Sequence, residues 1–418
     1  MAALADVADL IMGQSPPSLS YNEDGDGLAF FQGKTDFGFR HPAPKLYCNA
    51  PLKIAKTNDI LMSVRAPVGP TNIADRECCI GRGLAAIRPR DIDGDFLFFN
   101  LRYIEKFITS LGSGSTFHAI NKSQLASVEV NPHEFSLPEQ RKIAGILGVV
   151  QGAIEQQERL LQLTAELKKA LLHQLFTQGL RGEPQKETDI GLVPESWDEH
   201  PLERAGDVVY GIQAAVAANL KPVGTMILTN KNITLDGRIV LEKINYFVLK
   251  SKRHHETVLK KGDLLFNWRS GSKEHVGKTA YFDLAGEFVH SSFILRIRPS
   301  DEVTGRYLFY YLNFLRESGF FRKKQTFSIN AKFNKSAINE LPTYLPDKEE
   351  RREIVAVLDA IGKKLDGLQA KRHLLEDLFR TLLHQLMTAQ VRVHDLDLSE
   401  LGIEKVVSQR CISGSRDQ

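Results

Sequence analysis

One long segment of this chain occurs twice, and the two copies align without a gap. Residues 142–177 match residues 353–388, so that Ile143 lies opposite Ile354, and the pentapeptide LLHQL stands near the end of both copies. One constant spacing serves the whole alignment. A repeat of this length constrains the fold more than any single motif, because both copies must take the same structure. The repeat predicts a chain built from two related halves.

Both copies are predicted to form long helices with one apolar stripe. Counted in alternate steps of four and three residues, nine of ten positions are apolar from Ile354 and seven of ten from Ile143, with Gln157 among the exceptions. This is the period of a coiled-coil seam. Each helix of about 33 residues would be about 50 Å long. Because a helix with a single apolar stripe is not stable alone, we expect the two helices to pack as an antiparallel coiled coil.

The starts of both helices carry recognisable signals. Ser136 and Glu139 have the spacing of a capping box, and Asp347 with Glu350 is a weaker version of the same pattern. The predicted helix-core residues are Ile143, Leu147, Val150, Ile154, Leu161, Leu171 and Leu175 in the first copy, and Ile354, Leu358, Ile361, Leu365, Leu368, Leu375, Phe379, Leu382 and Leu386 in the second.

The segments that precede the two helices also match in outline. LADVADLIMG at 4–13 parallels LERAGDVVYG at 202–211, and DILMSVR at 59–65 parallels DLLFNWR at 263–269. The spacing between such matches drifts, so the framework is shared and the connecting loops differ. The fold class is therefore α+β: two mixed α/β domains separated by two long helices, with a pseudo-two-fold internal repeat. The expected boundaries are 1–137 and 201–345 for the domains, 138–180 and 346–390 for the helices, 181–200 for a linker and 391–418 for a tail.

Composition excludes several classes of protein. No apolar run is long enough to span a bilayer, and the N-terminus carries no basic region of a secretory signal. The four cysteines form no C-x-x-C pair, which favours reduced thiols in a cytoplasmic protein over a disulfide or zinc framework. The net charge of +3 hides uneven segments, since residues 322–335 hold five basic residues and no acid. A polyanionic partner would meet such basic segments.

Polar and basic side chains recur in loops at matched places of the two halves. Lysine and arginine neutralise phosphates, and serine, threonine, glutamine and arginine read base edges in the major groove. The alternative for any one of these loops is a solvated surface. The candidate DNA-binding residues are Lys34, Arg65, Ser113, Ser115, Thr116, His118 and Lys122 in the first half, and Lys252, Arg253, Arg269, Lys273, Lys278, Arg322, Lys323, Lys324, Gln325 and Thr326 in the second.

The sequence contains no convincing motif of a catalytic site. The stretch from Gly271 to Thr279 has five residues between its glycines, where a phosphate-binding P-loop has four. The sequence Asn131-Pro-His-Glu-Phe135 only faintly matches the motif of amino-methyltransferases, and His254-His255 has no metal-ligand spacing nearby. No catalytic or metal residue is nominated. A single-chain methyltransferase or nuclease, and a coiled-coil scaffold that reads no DNA, remain the alternatives.

The paired helix regions resemble the specificity subunit of type I restriction-modification systems. The resemblance is carried by LPEQRKIAGIL and LPDKEERREIVAVL at the helix starts, by LLHQLFTQGLRG, by IGLVPESW at the second domain, and by SGSTFHAINKSQL and TFSINAKFNKSAI before the helices. It covers nearly the whole chain. One departure is that the first half lacks a lead-in like that from Pro194 to Trp197.

The resemblance implies a function and a set of partners. In that family two target-recognition domains read the halves of an asymmetric, split site in double-stranded DNA, and the paired helices space them and dock other subunits. Two methyltransferase (modification) subunits and two restriction/translocase subunits are the expected partners. Adenine methylation and ATP-dependent cleavage would belong to those partners, with S-adenosylmethionine, ATP and magnesium bound there. This chain itself is expected to be non-catalytic, without a cofactor or metal.

Overall fold

The computed structural model describes residues 2–112, 119–131, 134–213, 220–221, 223–326 and 333–393. Its contacts divide the chain into two compact units, one of residues 1–160 with 368–418 and the other of residues 161–367. Each unit therefore holds one mixed α/β domain together with part of each long helix.

The described helices are α1 (Leu4–Val7), α2 (Gly94–Tyr103), α3 (Glu105–Gly112), α4 (Lys122–Ala126), α5 (Leu137–Gln178), α6 (Lys252–His255), α7 (Glu302–Glu317), α8 (Phe320–Thr326), α9 (Lys335–Asn339) and α10 (Lys348–Met387). The strands of the first unit are β1 (Ala2–Ala3), β2 (Ala8–Met12), β3 (Tyr21–Asn22), β4 (Leu28–Phe31), β5 (Leu46–Cys48), β6 (Ile54–Ala55), β7 (Ile60–Ser63), β8 (Thr71–Ile73), β9 (Cys78–Ile80), β10 (Leu84–Pro89) and β11 (Glu129–Val130). The strands of the second unit are β12 (Gln185–Thr188), β13 (Gly191–Pro194), β14 (Asp198–Pro201), β15 (Gly206–Tyr210), β16 (Leu220–Lys221), β17 (Thr225–Leu228), β18 (Asn245–Phe247), β19 (Leu264–Asn267), β20 (Thr279–Tyr281), β21 (Phe288–His290), β22 (Ile294–Pro299) and β23 (Pro342–Leu345).

The first unit is built on an antiparallel sheet in the order β2-β10-β7-β8, beside a five-stranded sheet in the order β3-β5-β4-β9-β6. Successive side chains of a strand point to opposite faces. Ile60 and Met62 of β7 accordingly join one apolar core, and Leu61 between them joins another. The sheet is thus buried on both faces, which explains why its strands read as continuous apolar runs.

The second unit repeats this plan. Its antiparallel sheet has the order β15-β22-β19-β20, and a second sheet has the order β16-β18-β17-β21. In each unit the second sheet contains a parallel pair of strands, β4 with β9 in the first unit and β17 with β21 in the second. Leu265 and Phe266 of β19 face two different cores, as Leu61 and Met62 do in the first unit. The duplication seen in the sequence is therefore a duplication of sheet topology.

The long helices have 42 residues in α5 and 40 in α10, more than the length estimated from their apolar stripes. Glu139 bonds back to Ser136 as expected in a capping box, since the Ser136 amide and hydroxyl both donate to Glu139 Oε2, at 3.0 and 3.1 Å. At the start of α10, Asp347 Oδ1 accepts the amides of Glu349 and Glu350 at 3.0 and 2.9 Å. These caps satisfy amide groups that would otherwise lack partners, so each helix begins several residues before its apolar stripe.

The two helices run antiparallel in both units. In the first unit Ile143 and Leu147 of α5 share a core with Leu386 of α10, and in the second unit Leu175 of α5 shares one with Ile354. Opposite ends of the helices are therefore paired. All of the helix-core residues named from the sequence are buried or half-buried, and none is exposed.

Gln157 shows why the stripe is interrupted. It is buried on α5, and its Nε2 donates to the Leu368 carbonyl of α10 at 2.9 Å. Leu368 is the residue of α10 that aligns with Gln157 in the repeat. The two helices therefore contact each other at equivalent positions of the two copies. A buried amide is tolerated in an apolar seam when it is hydrogen-bonded, and a polar residue at such a place fixes the register of two helices.

The segment 181–200, predicted as a linker, is folded in the structure. Strands β12 and β13 form a hairpin, and β14 pairs with β23. Trp197 is fully buried, and its Nε1 donates to Glu350 Oε2 at 3.4 Å, while the Leu180 amide donates to Glu350 Oε1 at 2.9 Å. Gly191 serves the tight turn of this hairpin, because its φ is 110°.

His290 lies fully buried at the end of β21 in the second unit. Its Nδ1 is 3.2 Å from the Ile294 carbonyl, and its Nε2 has no hydrogen-bond partner among the described residues. Burial lowers the pKa of this imidazole from 6.5 to about 3. The folded protein therefore holds this side chain neutral.

The His290→Gln variant should change how stability depends on pH. Between about pH 6.5 and 3 the unfolded chain binds a proton that folded His290 excludes, so the stability present above pH 6.5 is lost as pH falls, by about 1.4 kcal/mol per pH unit. The variant should show a correspondingly flatter pH dependence in urea unfolding between pH 6.5 and 4. His255→Gln, at an exposed histidine, should keep the native slope. Parallel curves for His290→Gln and the native protein would contradict this account.

Candidate nucleic-acid interface

Two buried ion pairs fix equivalent strands in the two units. Asp59 accepts two hydrogen bonds from Arg88, at 2.9 and 2.7 Å, and Asp263 accepts two from Arg298, both at 2.7 Å. Both aspartates are almost fully buried, and these hydrogen bonds raise the pKa of each arginine. A bidentate arginine–carboxylate pair is geometrically specific. It therefore holds β7 against β10, and β19 against β22, in a fixed register.

The far ends of these strands carry Arg65 and Arg269, which the sequence nominated as DNA-binding residues. Both are exposed, and neither guanidinium has a described hydrogen bond or ion pair with another residue. Arg65 forms an isolated backbone bridge with Ala119, and the Ile120 amide donates to the Val64 carbonyl at 3.0 Å. The segment just before Ala119 holds Ser113, Ser115, Thr116 and His118, which lie outside the described residues.

The environment of Arg269 is aromatic. Its guanidinium carbon lies 5.4 Å from the centroid of the Phe293 ring, which is 39% exposed. The neighbouring Trp268 packs edge-on against Tyr210, with centroids 5.7 Å apart. Tyr210 accepts the Lys335 amide at its hydroxyl, at 2.9 Å. This end of β19 therefore combines a cation with partly exposed rings, a combination that suits stacking and hydrogen bonding to nucleotides.

The remaining predicted cations are mostly at the surface. In the first unit Lys34 and Lys122 are exposed, the latter at the first residue of α4. In the second unit Lys252, Arg253 and Lys273 are exposed. The structure places them on several different elements and does not gather them into one cluster by any described contact.

Helix α8 holds a further group of the predicted residues. Arg322 and Lys323 are exposed. Lys324 lies with its Nζ 3.8 Å from Asp189 and 4.6 Å above the centroid of Phe320. Gln325 and Thr326 have helical backbone, and their side chains lie outside the described residues. This short helix thus carries three exposed cations in succession.

Lys278 is a correction to the sequence interpretation. It is almost fully buried, and its Nζ donates to the carbonyls of Asn230 and Ile233, both at 2.6 Å. Burial lowers the pKa of this ammonium. Because the ammonium group is buried and donates to two backbone carbonyls, it is not available to contact a DNA phosphate. Sequence context gave no sign of this, since Lys278 follows a glycine in a basic, polar stretch.

Sequence reasoning also missed part of the surface. It did not nominate Arg82, Trp268 or Phe293. Arg82 is exposed and lies in the short turn that leads into β10, and Phe293 lies in the equivalent turn before β22. The signal available was position: both turns immediately precede the strands that end in the matching Ile-Arg-Pro tripeptides. Residues beside a shared framework anchor, but different in the two halves, are candidates for specificity.

Features of other site types were sought in the described part of the chain. It holds no group of three histidine, cysteine, aspartate or glutamate side chains able to bind a metal ion. None of its helices is long and apolar enough to cross a membrane. Cys78 and Cys79 are buried, and burial raises their pKa values to about 12 and 11. Such thiols are poor nucleophiles at neutral pH.

The duplication of domains and helices seen in the structure has a counterpart in a known family. The model of the type I restriction modification DNA specificity domain matches residues 2–165 and 207–376, which is well over half of the chain. The chain therefore belongs to this family.

Individual relatives support the assignment. Over 174 residues the chain is 44% identical to a Methanocaldococcus jannaschii protein named for the specificity subunit of the type I restriction enzyme MjaX. That match covers 41% of this chain and 40% of the relative, so the chain spans about two fifths of it. The type I restriction enzyme MjaVIII specificity subunit of the same organism is 21% identical over 73% of this chain and 72% of its own length.

A solved structure shares the fold. The type I restriction-modification system S subunit from M. genitalium superposes with a TM-score of 0.61, covering 92% of this chain and 94% of that one, at 15% identity. Two α/β domains with long helices are thus an established arrangement for a chain of this kind.

The Lys278→Met variant should separate a structural lysine from a DNA-binding one. Methionine fills a similar volume but leaves the carbonyls of Asn230 and Ile233 without their donor, so the free energy of unfolding should fall by about 1–3 kcal/mol. Urea unfolding measures this loss. The salt dependence of DNA binding should be unchanged, and a salt slope that drops by about one would contradict the correction.

Proposed function

We propose that this chain is the DNA-reading specificity subunit of a type I restriction-modification complex, with each α/β domain binding one half of an asymmetric, split site. The observation that carries the proposal is the repeated strand end: the same ion pair fixes β7 and β19, and each strand leads to an exposed arginine, Arg65 or Arg269, that has no acidic partner among the described residues. Family membership supports it. The loops around the shared framework differ, so the two half-sites should differ as well.

The chemistry of the surface supports reading without catalysis. Cations on α6 and α8, such as Lys252 and Lys323, are placed to neutralise phosphates, and such contacts position a protein on the duplex without specifying sequence. Arginine at the ends of fixed strands can contact base edges. Adenine methylation and ATP-dependent cleavage are assigned to partner subunits that bind S-adenosylmethionine, ATP and magnesium. A methyltransferase must flip its base out of the duplex, so the reader has to hold the DNA meanwhile.

The long helices are assigned to spacing and docking. Both contribute residues to both units, and their sequences are copies. A duplicated structure offers two similar surfaces to identical partners. We therefore assign two modification subunits, and two restriction subunits where these are present, to surfaces related by the repeat.

Inserting four residues after Thr164 should change the gap between half-sites and leave their bases unchanged. Four helical residues add about 6 Å, which corresponds to one or two base pairs at about 3.4 Å per step. The measurement is methylome sequencing of a host that expresses this chain with its modification subunit, first native and then with the insertion. A matched control places four residues after Ser413, in the C-terminal tail.

The outcomes of this experiment are distinct. A native complex that methylates no bipartite motif, or a purified chain that transfers a labelled methyl group by itself, overturns the proposed function. Altered half-site bases with an unaltered gap overturn only the spacing role of the helices.

Replacing Lys323 and Lys324 together by alanine should weaken binding of all DNA sequences alike. Each lysine that contacts a phosphate contributes about 0.9 to the slope of log affinity against log salt concentration, so the slope should become shallower by one to two. The test is a salt titration of the complex with specific and non-specific duplexes. Lys260 and Lys261, an exposed pair before the opposite end of β19, provide the control. Loss confined to one base position would make the pair base readers instead.

A further inference from the structure

The exposed cation Arg269 of the second domain lies over the ring of Phe293. The guanidinium carbon lies 5.4 Å from the ring centroid. A guanidinium over an aromatic face is held by cation–π attraction while its edge keeps the N–H donors available. No hydrogen bond or ion pair of this guanidinium occurs in the described residues. The ring therefore restricts the orientation of the guanidinium, and its N–H donors have no partner among the described residues.

The backbone on both sides of the stack is fixed. Trp268 Nε1 donates to the Ser292 carbonyl at 2.8 Å, which ties together the residues just before Arg269 and Phe293. Asn267 is fully buried, and its Nδ2 donates to the His275 carbonyl at 2.7 Å. Arg269 thus follows two anchored residues, and Phe293 follows an anchored carbonyl. Anchoring of this kind reduces the entropy lost when a side chain binds its target.

We propose that Arg269 reads a guanine in the half-site bound by the second domain, and that Phe293 positions its guanidinium. The planar fork of arginine matches the N7 and O6 acceptors of guanine in the major groove, and this pairing is the commonest specific contact of proteins with DNA. A phosphate could also accept two hydrogen bonds. The orientation imposed by the ring favours a planar partner that lies edge-on to the guanidinium, as a base does.

The first domain carries different chemistry at the same place. The residues equivalent to Ser292 and Phe293 in the strand alignment are Arg82 and Gly83. A Cβ at Gly83 would lie 2.2 Å from the Gln32 carbonyl oxygen, so no aromatic side chain fits there. Arg65 consequently has no ring at the position that corresponds to Phe293. A stack on this position is thus possible in the second domain and not in the first, and its effect should be confined to one half-site.

This inference rests on the proposed function, and the experiment separates the two. The complex of the full chain with its modification subunit is incubated with a randomised duplex library, and bound sequences are read for native, Arg269→Ala, Arg269→Lys, Phe293→Ala and Phe293→Tyr chains. Arg204→Ala, at an exposed arginine of the same unit with no described ring contact, is the matched control. Urea unfolding of each variant checks that the fold is retained.

The expected result is a loss of preference at one guanine. Arg269→Ala and Arg269→Lys should lower the selection for that guanine about tenfold or more, with the other half-site unchanged. Lysine should retain most of the overall affinity, because the charge remains. Phe293→Ala should weaken the same preference several-fold, and Phe293→Tyr should restore it. Arg204→Ala should match the native chain.

Three results would overturn the proposal in different ways. A uniform loss of affinity with every base preference intact would make Arg269 a phosphate contact. Unchanged selection by Arg269→Ala would remove it from the interface, as would changes spread over both half-sites. If the native complex selects no split site, the proposed function itself fails.

Discussion

The fold depends on covering two apolar stripes, each on a helix of 40 residues or more. Neither helix can leave its stripe in water, and each finds cover from the other helix and from an α/β domain. In the first unit Leu147 packs in the same core as Phe99 of α2. In the second unit Phe176 packs against Tyr307, with ring centroids 5.3 Å apart. In each unit one aromatic-rich helix of the α/β domain, α2 or α7, therefore covers the apolar stripes. The long helices in turn support that domain.

The starts of the two long helices are also stabilised by contacts with other segments of the chain. Glu350, buried at the start of α10, accepts the Leu180 amide and the Trp197 indole. The corresponding Glu139 at the start of α5 accepts from Ser136, and Arg392 lies 3.6 Å from it. Carboxylates near helix N-termini also interact favourably with the helix dipole. Both glutamates of this repeat position therefore connect the start of a helix to another segment of the chain, and Glu139 also bonds to the residue before its own helix.

The sequence predicted those features that a pattern can encode. The constant spacing of the repeat and the coiled-coil period gave the two antiparallel helices, and the capping box placed the start of α5 near Ser136. Alternation was of less use for the strands, since the central sheets are buried on both faces. Segment 181–200 was mistaken for a linker because turns of a hairpin and turns of a linker use the same residues.

The candidate interface was only partly predictable, because charge does not reveal burial. Lys278 and Arg269 look alike in the sequence, yet one is folded inward onto two carbonyls and the other projects over an aromatic ring. Phe293 gave no signal by itself. Its position depends on the hydrogen bond from the Trp268 indole to the carbonyl of Ser292, which no local pattern reports. Long-range pairing of this kind becomes visible only when the strands are in register.

The division of each helix between the two units has a thermodynamic consequence. The first unit is not a contiguous stretch of chain, since it combines residues 1–160 with 368–418, and the second unit, residues 161–367, lies between these two segments in the sequence. Opening one domain uncovers its share of both stripes and frays the helices toward their middle. Because each long helix continues from one unit into the other, we expect the stabilities of the two domains to be coupled along its backbone hydrogen bonds. Amide protons near Gln157 and Leu368 would report the weaker of the two domains in hydrogen exchange.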